Sequence, residues 1–328
     1  MDIVEFGAFE ASTEAFDADV CLTPEIDRFC SSALWVLPAR AAFHAQSPPL
    51  VLRSSAGTAL LAAGKTASLG RYLAACEAMW GLACPLIAPT PEVLAAHFAL
   101  AMRQLAPTWD VLWIGGVLRG GRMFRSLVPA LGGFAELRLG PVTKRWTATL
   151  DGGFDGWFAR RSPKFRTNAR SDLRKAQAAG VLFTPLHGAP GEPMDAAGLY
   201  ARIQGIEALS WKGELGSGFV AGDMRAFYAK MLPRLIARGA LRALVAQKDG
   251  VDIAFIFGGV LGGTYRGLQV SFDNRYRELA LGNVMQLEMI RRLADEGLHT
   301  YDLGSDMEYK ARWSEPGLET TTVIAFKR

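Results

Sequence analysis

Strand-like and helix-like patterns alternate along most of this 328-residue chain, and their order restricts the fold more than any other feature. Over residues 1–140, the order is strand, strand, helix, strand, helix, strand. Over residues 141–328, it is strand, helix, strand, two helices, three strands, helix, strand, helix, strand. Such alternation is typical of α/β or α+β folds, and the length suits about two domains. We therefore predict two such domains, 1–140 and 141–328.

The boundaries of the elements follow from capping and turn residues. Thr90 and Pro91 mark a helix start, and Asp249-Gly250 marks a turn between two strands. The other main predicted elements are a hairpin at 48–65, strands at 110–117, 135–140, 181–186 and 320–327, and helices at 158–180, 194–211, 221–239 and 281–297.

Composition excludes several classes of protein. The first 20 residues are acidic, whereas a signal peptide needs a basic start and an apolar centre. The longest apolar run, 253–263, is far shorter than the roughly 18 residues of a transmembrane helix. The four cysteines and four histidines lack the spacing of zinc ligands. We expect a cytoplasmic protein with no metal site, and peripheral contact with the inner membrane face stays open.

Positive charge is concentrated in one segment. The net charge of the whole chain is +4, yet residues 160–175 carry seven basic side chains and one acidic one, a net charge of +6. Arg166, Arg170 and Arg174 recur every four residues, so a helix places them on one face. Such a cluster suits an anionic partner: a phosphate, a nucleotide, a lipid headgroup or RNA. A solvated helix face is the alternative.

Three stretches carry a family pattern. They are SPKFRTNARSDLRKAQAAG (162–180), LSWKGELGSG (209–218) and GNVMQLEMIRRLADEGLHTYDLGSDMEYKARW (282–313). These stretches resemble the GNAT acyltransferases, and more closely the subgroup with two fused GNAT-like domains that is related to the Fem-type aminoacyl ligases. The resemblance implies tandem domains, each a mixed central sheet flanked by helices, of which the first is degenerate. It also implies acyl transfer to an amine, with acyl-CoA as a co-substrate and no permanently bound cofactor.

The resemblance also implies where the acyl donor lies. GNAT proteins hold coenzyme A between a splayed central strand and the next helix, with the pyrophosphate at the helix N-terminus. Here the strand is 266–273, and the helix starts near Leu281. The loop keeps two positions of the family pattern R/Q-x-x-G-x-G/A but lacks its middle glycine, so an ordinary strand-to-helix connection is the alternative. The candidate donor-binding residues are Gln269, Val270, Ser271, Arg275, Arg277, Gly282 and Asn283.

The stretch YDLGSDMEYKARW (301–313) contains the candidates for catalysis. An acceptor amine must lose a proton, and a carboxylate can accept it. Asp302 lies at a strand end, and Gly304 permits a sharp turn after it. Asp306 is the alternative base, or else the N-cap of a short helix that starts at Met307.

Further site residues come from the resemblance and from local pattern. In Fem-type relatives, a lysine at the position of Lys310 is thought to stabilise the transition state or the donor, and Tyr309 lies beside it. The loop tryptophan Trp211 could form a wall of the acceptor pocket next to Lys212. The candidate acceptor-binding residues are Trp211, Lys212, Arg166 and Arg170.

Three functional hypotheses remain. The leading one is an acyl-CoA-dependent N-acyltransferase, whose most specific form transfers a long-chain acyl group to a lipid amine such as a sphingoid base, giving a ceramide-type product. The second is a Fem-like transferase that takes its donor from aminoacyl-tRNA, and only there is tRNA a partner. The chain shows no sustained heptads for the helical arm of such ligases, which favours coenzyme A. The third is a non-catalytic binding protein with a GNAT fold. No DNA partner is expected.

Overall fold

The computed structural model describes residues 1–77, 79–186, 194–216, 218–219 and 221–328. The chain divides into two compact units. Unit 1 contains Met1–Lys144 together with Leu318–Arg328, and unit 2 contains Arg145–Gly317. No helix in these described residues is both long enough and apolar enough to cross a bilayer.

Unit 1 begins with short helices and then forms a mixed sheet. Its elements are β1 (Asp2–Val4), α1 (Phe6–Glu10), α2 (Thr13–Leu22), α3 (Arg28–Ser31), α4 (Ala33–Phe43), β2 (Leu50–Ser54), β3 (Gly57–Thr66), β4 (Gly70–Ala75), β5 (Leu86–Ile87), α5 (Pro91–Gln104), β6 (Val111–Leu118), α6 (Arg122–Gly132), β7 (Ala135–Thr143) and, from the end of the chain, β15 (Thr320–Lys327). The predicted order omitted α1 to α4. These helices are short or, like α4, buried along most of their length, so they lack the periodic apolar stripe that identifies a helix in sequence.

The sheet of unit 1 has the order β1-β2-β3-β4-β6-β15-β7, with β5 beside β3. Among its described strands, β4 and β6 are the one parallel pair, and α5 makes the crossover between them. The last strand, β15, inserts between β6 and β7 and pairs antiparallel with both.

The position of β15 differs from the predicted division of the chain. Residues 320–327 were assigned with 141–328 to the second domain, but their strand belongs to the sheet of unit 1. The predicted boundary at 140/141 lies four residues before the observed one at 144/145. A strand pattern records alternation and burial but not the partner strand, so sequence alone could not place this segment.

Unit 2 is built around a second mixed sheet. Its elements are β8 (Arg145–Thr149), α7 (Gly153–Ala159), α8 (Pro163–Ala178), β9 (Leu182–Pro185), α9 (Ala196–Ala208), α10 (Trp211–Glu214), α11 (Gly222–Ala237), β10 (Leu241–Lys248), β11 (Val251–Leu261), β12 (Thr264–Phe272), α12 (Leu281–Asp295), β13 (Thr300–Ser305) and β14 (Glu315–Pro316). Two 3₁₀ segments, Asn274–Leu279 and Glu308–Arg312, precede α12 and follow β13. The helix predicted over 158–180 is two helices, because Pro163 starts a new one after a break.

The sheet of unit 2 has the order β14-β8-β13-β12-β11-β10-β9. Strands β10 to β12 form an antiparallel meander, as the turn residues predict, and β12 then pairs parallel with β13. Helix α12 connects these two strands, and its buried apolar residues pack in the same core as Trp157 and Trp313, whose rings stack. The core therefore fixes the start of α12 close to the end of β12.

We predict that unit 1 cannot form without β15. The change Val323→Asp places a charge at a fully buried position in the middle of this strand, which should reduce the free energy of unfolding by at least about 3 kcal/mol. The control is Val142→Asp on the neighbouring β7, where the side chain is 47% exposed. Thermal and urea unfolding of both variants measure the effect, and equal losses would contradict this role for β15.

Candidate functional site

Strands β12 and β13 separate at one point, which we call the fork. They share three register pairs, the last of which joins Arg266 to Asp302. Beyond it, β12 continues along β11 as far as Phe272, while β13 continues along β8 to Ser305. No described strand pairs with the β13-facing edge of β12 past the fork, so a wedge-shaped opening lies within the sheet.

A bulge in β12 gives the fork its physical cause. Gln269 pairs with Phe257 and Gly267 pairs with Gly258, so Leu268 is an extra residue in the strand. An extra residue bends a strand and increases its local twist. The bend lies directly after the last pair with β13, and the two strands therefore diverge there.

A buried ion pair holds the two strands together at the fork. Arg266 Nη1 lies 2.6 Å from Asp302 Oδ2, and both residues are almost fully buried. The other carboxylate oxygen, Asp302 Oδ1, accepts a hydrogen bond of 2.7 Å from the Gly304 N–H. Gly304 has a φ of +83°, a conformation that favours glycine. Because both oxygens of Asp302 are occupied, this geometry suits a structural role better than the predicted role of proton acceptor.

Lys310 lies next to this ion pair. Its Nζ donates a hydrogen bond of 2.7 Å to the carbonyl of Ser305, and the residue is only 7% exposed. Burial, aided by the positive charge of Arg266, lowers the pKa of Lys310 to about 8. The ammonium lies 5.9 Å from the ring centroid of Tyr309, which is itself 41% exposed. The structure thus places Lys310 beside Tyr309 and near the ion pair of Asp302, and their joint role in catalysis stays a prediction.

Asp306 lies at the surface rather than inside the fork. One of its oxygens accepts a hydrogen bond of 2.6 Å from Trp146 Nε1. The alternative role as the N-cap of a helix starting at Met307 is wrong: the 3₁₀ segment begins at Glu308, with Met307 at the cap position and no side-chain capping bond.

The short helix α10 points one side chain towards β12 and another away from it. Lys212 is largely buried, and its Nζ donates hydrogen bonds of 3.2 Å to Gln269 Oε1 and to the Val270 carbonyl. Trp211, the residue before it, is 51% exposed. Lys212 therefore places a cation against β12 beyond the fork, whereas Trp211 faces outward.

A buried carboxylate accompanies Lys212. Glu207 is completely inaccessible, its Oε1 lies 3.7 Å from Lys212 Nζ, and neither of its oxygens has a hydrogen-bond partner in the described structure. Burial lowers the pKa of Lys212, and the charge of Glu207 opposes that effect. A Cβ atom at Gly218 would approach Glu207 Oε1 to 2.4 Å, so a larger residue would require the carboxylate to shift, and the φ of +87° at Gly218 also favours glycine. Ser271 also has a buried hydroxyl without a described partner.

The hydroxyl of Tyr228 extends this polar cluster. It accepts a hydrogen bond of 2.9 Å from Gln269 Nε2, and burial raises its pKa to about 12. Gln269 is thus oriented by Tyr228 on one side and Lys212 on the other. A side chain held by two partners presents fixed hydrogen-bonding atoms to whatever lies beside β12.

The loop before α12 keeps the shape of the family pattern despite its sequence. Ala280 stands where the middle glycine of R-x-x-G-x-G would be, between Arg277 and Gly282. Its φ of +51° and ψ of +36° are left-handed, which costs a residue with a Cβ roughly 1 kcal/mol or more. The backbone therefore adopts the turn that glycine would allow, and free N–H groups at the start of α12 favour an anion.

The other predicted donor residues have partners within unit 2. Arg275 forms a bidentate ion pair with Asp273, at 2.6 Å for its shortest contact. Asn283 donates a hydrogen bond of 3.1 Å to Asp172 of α8 and accepts one of 3.2 Å from Arg312. Arg275 is thus already paired with a carboxylate, while Arg312 brings a cation to the first turn of α12.

Two predicted acceptor residues serve the structure of α8 instead. Arg166 donates hydrogen bonds of 2.9 Å to the carbonyls of Ala159 and Arg161, which end the preceding segment. The guanidinium of Arg170 stacks on the ring of Phe158 at 5.0 Å. Neither contact brings these side chains to the fork.

Two residues near the fork, Arg266 and Glu207, were not among the predicted site residues. Arg266 could have been noticed as a charge within an otherwise uncharged strand, 264–272. Glu207 follows Tyr200 and Ile203 at helical spacing on the buried side of α9, so it is a carboxylate on an apolar face. In the described part of the chain, no three His, Cys, Asp or Glu side chains are grouped as metal ligands would be.

Comparison with known proteins agrees with this geometry. Residues 163–311 match the model of an acetyltransferase (GNAT) domain. No curated protein matches the chain in sequence. FemX is similar in structure, with 13% identity, a TM-score of 0.66 and coverage of 98% of this chain and 97% of its own. The fold is GNAT-like, and it is similar to the fold of FemX.

Two further structures show the same GNAT-like fold over both units. A conserved protein of unknown function from Bacteroides thetaiotaomicron VPI-5482 has 13% identity, a TM-score of 0.68 and 97% coverage of each chain. L-PGS from Bacillus licheniformis has 11% identity, a TM-score of 0.58 and coverage of 96% of this chain and 91% of its own. The predicted fold class is thereby confirmed, and the GNAT domain supports an acyl- or acetyltransferase.

We predict that Asp302 stabilises the fork. The change Asp302→Asn removes the carboxylate that pairs with the buried guanidinium of Arg266, which should cost about 3–5 kcal/mol of unfolding free energy. The double change Arg266→Met with Asp302→Leu should recover most of that loss. As a control, Asp252→Asn breaks the more exposed pair with Arg202 and should cost less than about 1 kcal/mol. Guanidinium unfolding measures all three, and full stability of Asp302→Asn would contradict the prediction.

We also predict a pH signature of Lys310. Its pKa in the folded state, about 8, is below the 10.5 of the unfolded chain, so between these values only the unfolded chain keeps the proton. Wild-type stability should therefore rise with pH across this window, by about 3 kcal/mol relative to Lys310→Met. Urea unfolding at a series of pH values measures the difference. Lys248→Met removes a part-exposed lysine at the end of β10, whose pKa is raised by Asp249 rather than lowered, so stability relative to this variant should not rise with pH. A flat Lys310→Met difference would refute the assignment.

Proposed function

We propose that the chain is an N-acyltransferase that takes an acyl group from acyl-CoA and passes it to a primary amine at the fork. The observation that carries this proposal is the edge of β12 past Arg266, which has no described strand partner and has buried lysines on both sides. An extended ligand with amide groups can pair with such an edge as a strand would. The pantetheine arm of coenzyme A has two amides and this extended form.

The surroundings of α12 support a donor that contains phosphates. Helix α12 begins directly after the left-handed turn at Ala280, and the N-terminus of a helix favours an anion. Arg312 contacts Asn283 in the first turn, and Lys175 Nζ donates a hydrogen bond of 2.5 Å to the Glu278 carbonyl just before it. These cations and the helix dipole attract an anion to the same place.

The chemistry requires two proton movements and one charged intermediate. The amine nitrogen attacks the thioester carbon, the new C–N bond forms and the C–S bond breaks. The thiolate leaves and takes a proton from water, which balances the proton that the amine loses. Lys310, if protonated, stabilises the oxyanion from inside the fork, where a charge acts strongly because water is excluded. The proton of the amine goes to a carboxylate. We assign that role to Asp306, acting through a water molecule, since Asp306 is exposed whereas Asp302 is held by Arg266 and Glu207 is inaccessible.

The acceptor that we favour is a lipid amine with a long chain, such as a sphingoid base. The support is the composition of the chain, which is 50% hydrophobic, and the exposed apolar side chains of α10 beside Lys212. A ceramide-type product follows if the acyl group is also long.

The Fem-like alternative takes its acyl group from aminoacyl-tRNA. Its support is the match to FemX over the whole chain and the pairing of Arg275 with Asp273, which removes one expected ligand of the pyrophosphate. The exposed cations of α8 would then contact RNA.

The donor and the role of Lys310 can be tested together. Purified protein is mixed with acetyl-, octanoyl- or palmitoyl-CoA and with sphinganine, octylamine or glucosamine, and the released thiol is measured. We expect release with palmitoyl-CoA and sphinganine. Lys310→Met should lower kcat at least tenfold, since an interaction made only in the transition state affects kcat, while the thermal shift caused by the donor persists. Lys248→Met is the matched control.

Two results would contradict the proposal. Absence of thiol release with every donor and amine, together with salt-sensitive binding of aminoacyl-tRNA, would establish the Fem-like alternative. A preference for acetyl-CoA would retain the acyltransferase and remove the lipid substrate. If Lys310→Met keeps the wild-type kcat, Lys310 has no part in the reaction.

A further inference from the structure

Three large apolar side chains are exposed within seven residues of unit 2. They are Leu209 (45% exposed), Trp211 (51%) and Leu215 (73%), and we call them the α10 patch. Trp211 and Leu215 are separated by one helical turn, since the Leu215 N–H donates to the Trp211 carbonyl, so they lie on the same side of α10. Exposed apolar residues are ordinary when scattered, but a group of them marks an interaction site.

The α10 patch is tied firmly to the rest of unit 2. The Asn274 N–H donates a hydrogen bond of 2.9 Å to the Leu209 carbonyl, and the Asn274 side chain bonds to Glu214 at 3.1 Å. Ser210 caps α10 and is buried. The patch is thus held out on an anchored turn, with its apolar side chains facing outward.

Cations stand next to the α10 patch. The 3₁₀ segment Asn274–Leu279 touches α10 at its first residue and α8 four residues later, where Lys175 Nζ bonds to the Glu278 carbonyl. The segment is kinked at Tyr276, and only four residues separate its contact with α10 from its contact with α8. Arg277 on this segment is exposed, as are Arg174 and Lys175 at the near end of α8. The segment 163–178 has five basic side chains and one acidic one, a net charge of +4.

We propose that unit 2 docks on an anionic lipid bilayer through the α10 patch, with the cations of Arg174, Lys175 and Arg277 against the lipid headgroups. In this orientation, the tryptophan and leucine side chains contact the apolar acyl chains, and the lysine and arginine side chains contact the anionic headgroups above them. Charge complementarity distinguishes a bilayer from a second copy of the chain, since two such patches would bring like charges together. RNA would use the cations but gain little from Leu209 and Leu215.

Adjacent residues of α10 face the docking surface and the fork. Trp211 faces outward, while the next residue, Lys212, reaches Val270 on β12. A bilayer at the α10 patch therefore lies within a few side-chain lengths of the fork. The benefit of docking rests on the proposed function, because it would present a lipid amine directly to the site where the acyl group is transferred.

Vesicle binding tests the docking surface without any donor or acceptor, so its outcome is independent of the transferase assay. Full-length protein is co-sedimented with vesicles of phosphatidylcholine alone or with 30% phosphatidylglycerol, at low and high salt. We expect binding to the anionic vesicles that weakens with salt. The double change Trp211→Ser with Leu215→Ser should lower the partition coefficient at least about tenfold. Arg174→Ser with Arg277→Ser should lower it about tenfold on anionic vesicles only.

The matched control is Leu182→Ser with Val251→Ser, which removes exposed apolar side chains of unit 2 outside the α10 patch and should bind within twofold of wild type. Thermal unfolding verifies that each variant folds, and the single change Leu215→Ser serves if the double variant does not. Any of three results would overturn the proposal: no binding of the wild type to anionic vesicles, equal binding by Trp211→Ser with Leu215→Ser, or a dimer in analytical ultracentrifugation that this variant abolishes while vesicles stay unbound. Loss of thiol release with vesicle binding intact would refute the transferase and leave the docking surface standing.

Discussion

The buried ion pair between Arg266 and Asp302 is the constraint on which the arrangement of unit 2 depends. It fixes the last point at which β12 and β13 pair, and the bulge that follows bends β12 away. Lys310 approaches from the β13 side and Lys212 from the helices that cover β12. Burying two charges is unfavourable unless their geometry compensates for the lost hydration. The ion pair of Arg266 and Asp302 has such geometry, and it fixes the point at which the two strands separate.

The two units use the same strand order in different ways. In each, a meander of antiparallel strands ends in a parallel pair joined by a helix crossover, with three register pairs. In unit 1, the region after β4 is filled by the protein itself: the carboxylate of Glu77 accepts backbone hydrogen bonds from Trp80, Leu82 and Ala83. Burial raises the pKa of Glu77 to about 7. In unit 1, the carboxylate of Glu77 thus binds the backbone N–H groups that follow β4. In unit 2, no described side chain caps the start of α12.

The same few residues connect the outer surface of unit 2 with its interior. Helix α10 is only four residues long, so its exposed and buried side chains cannot move independently. Glu207 and Gly218 enclose the base of Lys212, which holds its ammonium against β12. Helix α10 buries little apolar area of its own. Hydrogen bonds rather than packing hold it in place, and it can therefore position the ammonium of Lys212.

The sequence by itself determined the fold class and most element boundaries in the second half, because these depend on local alternation and on caps. It also singled out the stretch 301–313, and the structure places Lys310 near the ion pair of Asp302. The tertiary structure decided the rest. It moved β15 into unit 1, since strand patterns do not specify partners. It gave Asp302 a structural partner in Arg266, 36 residues away, and brought Glu207 to Lys212 beside β12. It also showed that Ala280 adopts the left-handed turn of the missing glycine, although a residue with a Cβ atom disfavours that conformation and the sequence therefore did not indicate it.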